Sequence, residues 1–134
     1  MKVRNGIDIT EISRMRKIID EGNTAFIDRV FTTGEQEYCS APGYDDRKAE
    51  RYAARYAAKE AAAKALGTGI CTKGIAFTDI EVVKDEAGAP ELTLSGKALE
   101  RAREIKVIST AISITHEKEY AAAAVTLLTD EEEL

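Results

Sequence analysis

The 134-residue chain has no tryptophan, one histidine, two cysteines and two prolines, and no apolar run that approaches a bilayer span. Each shortage closes off a class of function. With His116 alone and Cys39 far from Cys71, no nitrogen and sulfur ligand cluster is available, which speaks against a structural zinc site. Any metal must then be a hard, oxygen-bound cation such as Mg²⁺. The two cysteines suit an ordinary reduced pair. The N-terminal MKVRNGIDITEISRMRK carries charges where a secretion signal needs an apolar centre, and the chain is expected in the cytoplasm. No aromatic-laced basic stripe is present, so nothing points to nucleic acid.

What is there suits one globular domain, 1–134, with 44% hydrophobic and 32% charged residues. The net charge is −5, but Asp130, Glu131, Glu132 and Glu133 supply four of the negative charges. They read as a frayed, solvated tail over 130–134, so local clusters say more than the total.

The chain is organised around Arg55 to Gly69, RYAAKEAAAKALGTG. Nothing from Asp45 to Leu66 breaks a helix, and Gly67 and Gly69 mark its stop. Glu60 and Lys64, four apart, share a face. The plain account is a surface ion pair. Against it stand six basic residues (Arg47, Lys48, Arg51, Arg55, Lys59, Lys64) facing only Glu50 and Glu60. The Gly-Thr-Gly exit also offers bare backbone N–H groups to an anion. Together these suggest a phosphate, with a carboxylate-held cation beside it.

Along the chain, Lys2 to Ile9 reads as a strand. Asp8 at its end either caps the following helix or serves as a rigidly held metal ligand. Glu11 to Asp20 is an amphipathic helix with Ile12, Met15, Ile18 and Ile19 on one face. Arg14, Arg16 and Lys17 make part of the other face basic, either as solvated surface or as a docking face for an acidic partner. Two short helical pieces follow, 25–31 and 35–40, then a turn at 41–43 and the long helix capped by Asp45 or Asp46. Strands over 75–83 and 91–94 form a hairpin, a helix spans 95–105, and strands span 111–115 and 120–128. The order of elements is α+β. His116 ends a strand, as a satisfied polar residue or a diphosphate contact.

Several of these pieces resemble one family. Gly6-Ile7-Asp8 with Arg14 is similar to the N-terminal signature of holo-acyl-carrier-protein synthases, the small 4′-phosphopantetheinyl transferases. Phe31-Thr32 with Glu35 and Tyr38, Arg55 to Ala61 with Lys64 to Gly69, and Ser113 to His116 with Tyr120-Ala121 resemble the other motifs, in order and in register from Gly6 to about Val125. Tyr56 stands where Phe is usual, and Ala89-Pro90 where Lys-Pro is commoner.

The resemblance implies a compact α+β transferase fold with the long helix on an antiparallel sheet, and a homotrimer with active sites between subunits. It implies coenzyme A and apo acyl carrier protein as substrates, in fatty-acid biosynthesis. Asp8 and Glu60 would hold Mg²⁺, and Lys64 would share the catalytic work. Arg55, Lys64, Gly67, Thr68, Gly69 and His116 would bind coenzyme A, and Arg14 and Lys17 the carrier. The base for the serine proton stays open between Glu60 and a water on the metal. The alternative is a non-catalytic subunit of the same fold that binds coenzyme A or a nucleotide.

Overall fold

The computed structural model describes residues 1–43, 45–70 and 74–132. The chain runs β1 (Lys2–Glu11), α1 (Ile12–Asp20), α2 (Thr24–Val30), α3 (Thr33–Cys39), α4 (Lys48–Leu66), β2 (Ile80–Lys84), β3 (Pro90–Leu94), α5 (Gly96–Glu104), β4 (Val107–His116) and β5 (Tyr120–Thr129). The architecture is the expected α+β. An antiparallel sheet in the order β1-β5-β4 carries α4 on one face, and β2 and β3 form a separate hairpin. Among the described residues no helix is long and apolar enough to cross a membrane.

Small residues let α4 and the sheet come together. Ala57, Ala58, Ala61, Ala62 and Ala65 on the helix are buried, as are Ala121, Ala123, Val125 and Leu127 on the inner face of β5. Gly6 is the point of closest approach. A Cβ there would collide with the Ala61 carbonyl oxygen and lie 2.8 Å from the Ala65 nitrogen. Only hydrogen fits, so β1 runs directly beneath the helix backbone. A second core, built from Ile12, Met15, Val30, Phe31 and Tyr52, holds α1, α2 and α3 against the first half of α4.

Strand alternation leaves the other face of the sheet open. Val3, Ile7 and Ile9 are 65%, 64% and 65% exposed there, and in register they lie opposite Leu128, Ala124 and Ala122.

The structure moves several boundaries. Of the strand expected over 75–83, Phe77–Asp79 is a 3₁₀ turn, because the Asp79 carboxylate accepts the Ala76 N–H at 3.1 Å and curls the backbone before Ile80. β4 begins at Val107, not Ala111, with a register shift between Val107 and Ser109. The tail is also tied down further than expected. Asp130 donates its N–H to the Lys106 carbonyl at 2.9 Å. The Glu131 carboxylate receives Arg4 at 2.8 and 2.9 Å and the Thr129 hydroxyl at 2.6 Å. Its hydrogen bond to Arg4 holds that carboxyl down at about 2. Glu133 and Leu134 fall outside the described residues, as does Cys71. Cys39 is free and buried, and burial pushes its thiol up to about 12.

Candidate active site

Asp8 is not a helix cap. It lies within β1, paired with Ala123, because the strand continues to Glu11 before α1 begins. The close approach at Gly6 then sets it beside α4. Lys64 Nζ donates to Asp8 Oδ1 at 3.1 Å and to the Ile7 carbonyl at 2.9 Å, and the Thr10 hydroxyl donates to Asp8 Oδ2 at 3.3 Å. The plain account of Glu60 and Lys64 as a surface pair gives way to this one, since β1 offers the ammonium two acceptors.

Glu60 stands near Asp8 on the wall of a cavity of about 290 Å³. Arg14 shares the polar end with them, and Met15, Ile18 and Phe26 line the apolar remainder. Burial raises the Glu60 carboxyl above the usual range, and the Asp8 charge raises it further, against the opposing pull of Lys64 and of a hydrogen bond from Tyr56. Tyr56 itself is stacked between Phe26 at 6.3 Å and Phe77 at 5.5 Å. Two carboxylates under mutual repulsion are a donor set that a hard divalent cation suits. Among the described residues no group of three or more His, Cys, Asp or Glu side chains comes together. Such a cation would therefore take its other ligands from substrate and water.

Arg55 and His116 do not join this group. They line a second cavity, of about 310 Å³, with Arg47, Arg51, Glu50 and Lys84, and the two cavities share no residue. Neighbours on a helix point roughly 100° apart, so Arg55 and Tyr56 face different spaces. Arg55 is 7% exposed, and its Nε has no hydrogen-bond partner among the described residues. His116 Nδ1 is 3.6 Å from Glu50 Oε2.

Two sequence expectations are corrected here. Lys59, counted among the basic residues of a phosphate-binding face, is 0% exposed and bonded to Glu35 Oε1 at 2.6 Å. It is neutralised inside the core, where burial lowers its pKa. The Gly-Thr-Gly exit also lacks bare donors. The N–H groups of Gly67, Thr68 and Gly69 return to the Lys64 and Ala63 carbonyls as a left-handed helix stop, with φ of 78° at Gly67. The loop offers close backbone approach instead, and Thr68 Oγ1 is buried without a partner among the described residues. Lys17 lies exposed further along α1, 4.0 Å from Glu21. The sequence placed Glu35 and Tyr38 in a family motif and read Tyr38 as a core residue, without giving either a role at the site, and it left Lys84 unassigned. The three-residue spacing of Glu35 and Tyr38 on one short helix was the available signal.

The sequence model of the 4′-phosphopantetheinyl transferase superfamily matches residues 4–125. The chain is 43% identical over 122 residues to a holo-[acyl-carrier-protein] synthase of Geobacter sulfurreducens, covering 91% of this chain and 94% of that one. It is similar to the crystal structure of a holo-(acyl-carrier-protein) synthase from Bacillus anthracis in complex with CoA (3′,5′-ADP), with 38% identity, a TM-score of 0.75 and coverage of 95% and 96%. It is also similar to the Helicobacter pylori holo-[acyl-carrier-protein] synthase in complex with coenzyme A, with 31% identity, a TM-score of 0.78 and coverage of 92% and 99%. A matched family model over most of the chain, and relatives of this identity along nearly their whole length, leave one conclusion: the chain belongs to the 4′-phosphopantetheinyl transferase superfamily and, within it, to the holo-[acyl-carrier-protein] synthases.

Proposed function

We propose that this protein transfers the 4′-phosphopantetheine arm of coenzyme A to a serine of an apo acyl carrier protein, releasing 3′,5′-ADP, in cytoplasmic fatty-acid biosynthesis. The observation that carries the reading is the meeting of Asp8, Glu60 and Lys64 across the Gly6 contact. The names of the relatives and the coenzyme A bound in the similar structures support it.

In this reading Asp8 and Glu60 would hold Mg²⁺, which would supply positive charge against the diphosphate. Lys64, with its side chain 51% exposed, swings from Asp8 to a diphosphate oxygen and stays a compact point charge there. The serine oxygen bonds to the β-phosphorus, and the bond from that phosphorus to the bridging oxygen breaks. The serine proton goes to Glu60, which lines the same cavity as Asp8 and Arg14. Gly67 and Gly69 let the nucleotide approach the end of α4, alongside Thr68, while Arg55 and His116 bind further phosphate oxygens. Arg14, at the mouth of the first cavity, and Lys17 beyond it meet the acidic carrier.

Arg55 and His116 face a different space from Asp8 and Glu60, so one chain carries two half-sites. A homotrimer joins them: the open sheet face with Val3, Ile7 and Ile9 is the apolar surface that a second copy covers, bringing one half-site to the other.

The test is a mass spectrum of apo acyl carrier protein after incubation with this protein, coenzyme A and Mg²⁺, beside a chelator control. The expected result is a gain of one phosphopantetheine arm that disappears with chelator. Coenzyme A binding without transfer to any carrier would instead favour a non-catalytic binding subunit.

A further inference from the structure

We propose that Tyr38 is the positioning residue of the basic cavity, its ring acting as a platform that aligns Arg51, Arg55 and Lys84 for the phosphates of coenzyme A. The inference rests on the reading of Arg55 as a phosphate ligand.

Three cations from two elements converge on this one ring. The Arg55 guanidinium carbon lies 4.0 Å from its centroid, the Arg51 carbon 4.3 Å and Lys84 Nζ 4.4 Å. Arg51 also donates to the Tyr38 carbonyl at 2.9 Å. Like charges this close repel, and the electron-rich faces of the ring offset that repulsion. A stacked guanidinium keeps its in-plane N–H groups free for oxygen ligands. Arg55 fits this state: it is buried, its guanidinium carbon lies over the ring, and its Nε has no partner among the described residues.

The platform is itself anchored. One turn earlier on α3, Glu35 is 1% exposed and fixed on three sides. It accepts Lys59 Nζ from α4 at 2.6 Å, the Val82 N–H from β2 at 2.9 Å and the Thr32 N–H at 2.9 Å. Because Glu35 ties α3 to both elements that deliver the cations, Tyr38 cannot drift relative to Arg51, Arg55 or Lys84. Without the ring, three long side chains would have to be gathered from solvent at each binding event, an ordering cost that weakens affinity.

The test is calorimetric titration of coenzyme A into the wild-type chain, Tyr38→Met, Tyr38→Phe, Arg55→Lys and the Tyr38→Met/Arg55→Lys double variant. It is paired with KM values for coenzyme A and for apo acyl carrier protein. Tyr38→Met is expected to weaken coenzyme A binding about 10-fold, three contacts each contributing modestly. Its KM for coenzyme A rises while its KM for the carrier does not, a split that general loosening of the fold would not produce. Tyr38→Phe, which keeps the ring, restores binding to within about 2-fold. Arg55→Lys keeps the charge but loses the stacked plane, and the double variant binds little worse than either single one, because both remove the same coupled contact.

Wild-type affinity in Tyr38→Met, or fully additive losses in the double variant, overturns the proposal. Should Tyr38→Met not melt cooperatively, wild-type affinity in Arg55→Lys overturns it equally. A wild-type chain that binds no coenzyme A would sink the reading of the site and this inference with it. Wild-type binding with Tyr38 without influence sinks this inference alone.

Discussion

Two neighbouring stripes of α4 carry similar residues to opposite fates. Arg51, Arg55 and Lys59 run one turn apart along one line, and Tyr56, Glu60 and Lys64 along the next. The first stripe faces α3, where Glu35 swallows the charge of Lys59 and Tyr38 stacks the two arginines. The second faces β1, where Gly6 brings Asp8 up to Lys64 and close to Glu60. A cation on α4 is thus buried in an ion pair, set over an aromatic ring or left half-exposed beside a carboxylate according to the partner that a second element supplies. Identity along the helix does not decide the role; the neighbouring element does.

The largest expected effect breaks the first stripe from below. Lys59→Met leaves Glu35 charged and buried with only backbone donors, and should cost about 3–5 kcal/mol of stability, read by urea unfolding. A loss within experimental error would mean that Glu35 takes up a proton easily and that the pair matters little.

Breaking the second stripe should leave the fold standing. Glu60→Ala or Asp8→Ala is expected to lower transfer by about 100-fold or more with a cooperative melting transition retained; retained activity in either variant would remove the metal assignment. Mixing inactive Glu60→Ala with inactive Arg55→Ala then asks whether the stripes meet between copies. After subunit exchange, about a quarter of the sites draw an intact stripe from each partner, so activity should reappear up to that share. No recovery in demonstrably mixed oligomers would place both stripes in one chain's own site.

A smaller effect is expected at the rim. Arg14→Glu should raise the KM for the carrier roughly 10-fold and steepen with falling salt, with coenzyme A affinity kept. An unchanged response to carrier concentration would take Arg14 off the docking face.

The smallest effect concerns pH. The folded Glu60 carboxyl binds its proton more tightly than the unfolded one, so below the ordinary carboxylate range its ionisation costs the fold nothing. As pH rises through the raised folded value, the carboxylate must ionise against burial and Asp8, and stability falls. Without metal, Glu60→Gln should therefore melt slightly higher than wild type at neutral pH and equally at low pH. A lower melting temperature at neutral pH would show that Glu60 supports the fold.

Much of this was legible in the sequence, for reasons that also mark where legibility stopped. The elements follow from glycine stops, alternation and the apolar face of α1, and Asp8, Glu60 and Lys64 stand in recognisable motifs. The facing of α4 was not readable. In a helix whose apolar residues are nearly all alanine, with Ala53, Ala57, Ala61 and Ala65 all buried, no bulky stripe distinguishes inside from outside. Lys59 could therefore pass for a surface cation. Asp8 was ambiguous because a strand end and a helix start offer a carboxylate equally good uses, and only the extent of β1 decides between them. The Gly67 to Gly69 stretch read as open donors because glycine signals a helix stop without saying which N–H groups the stop consumes.

The strand order β1-β5-β4 has a bearing on how the protein is made. The last strand in sequence is the middle strand in space, so β1 has no hydrogen-bonding neighbour, and no floor beneath α4, until the residues of 120–129 have been synthesised. A growing chain can form its helices and its hairpin early, but Asp8 waits on the ribosome for a partner more than a hundred residues away. The strand that carries Asp8 thus gains its sheet partner only from the last strand of the chain, and a nascent or C-terminally clipped chain would hold Asp8 and Glu60 without the central strand that backs them.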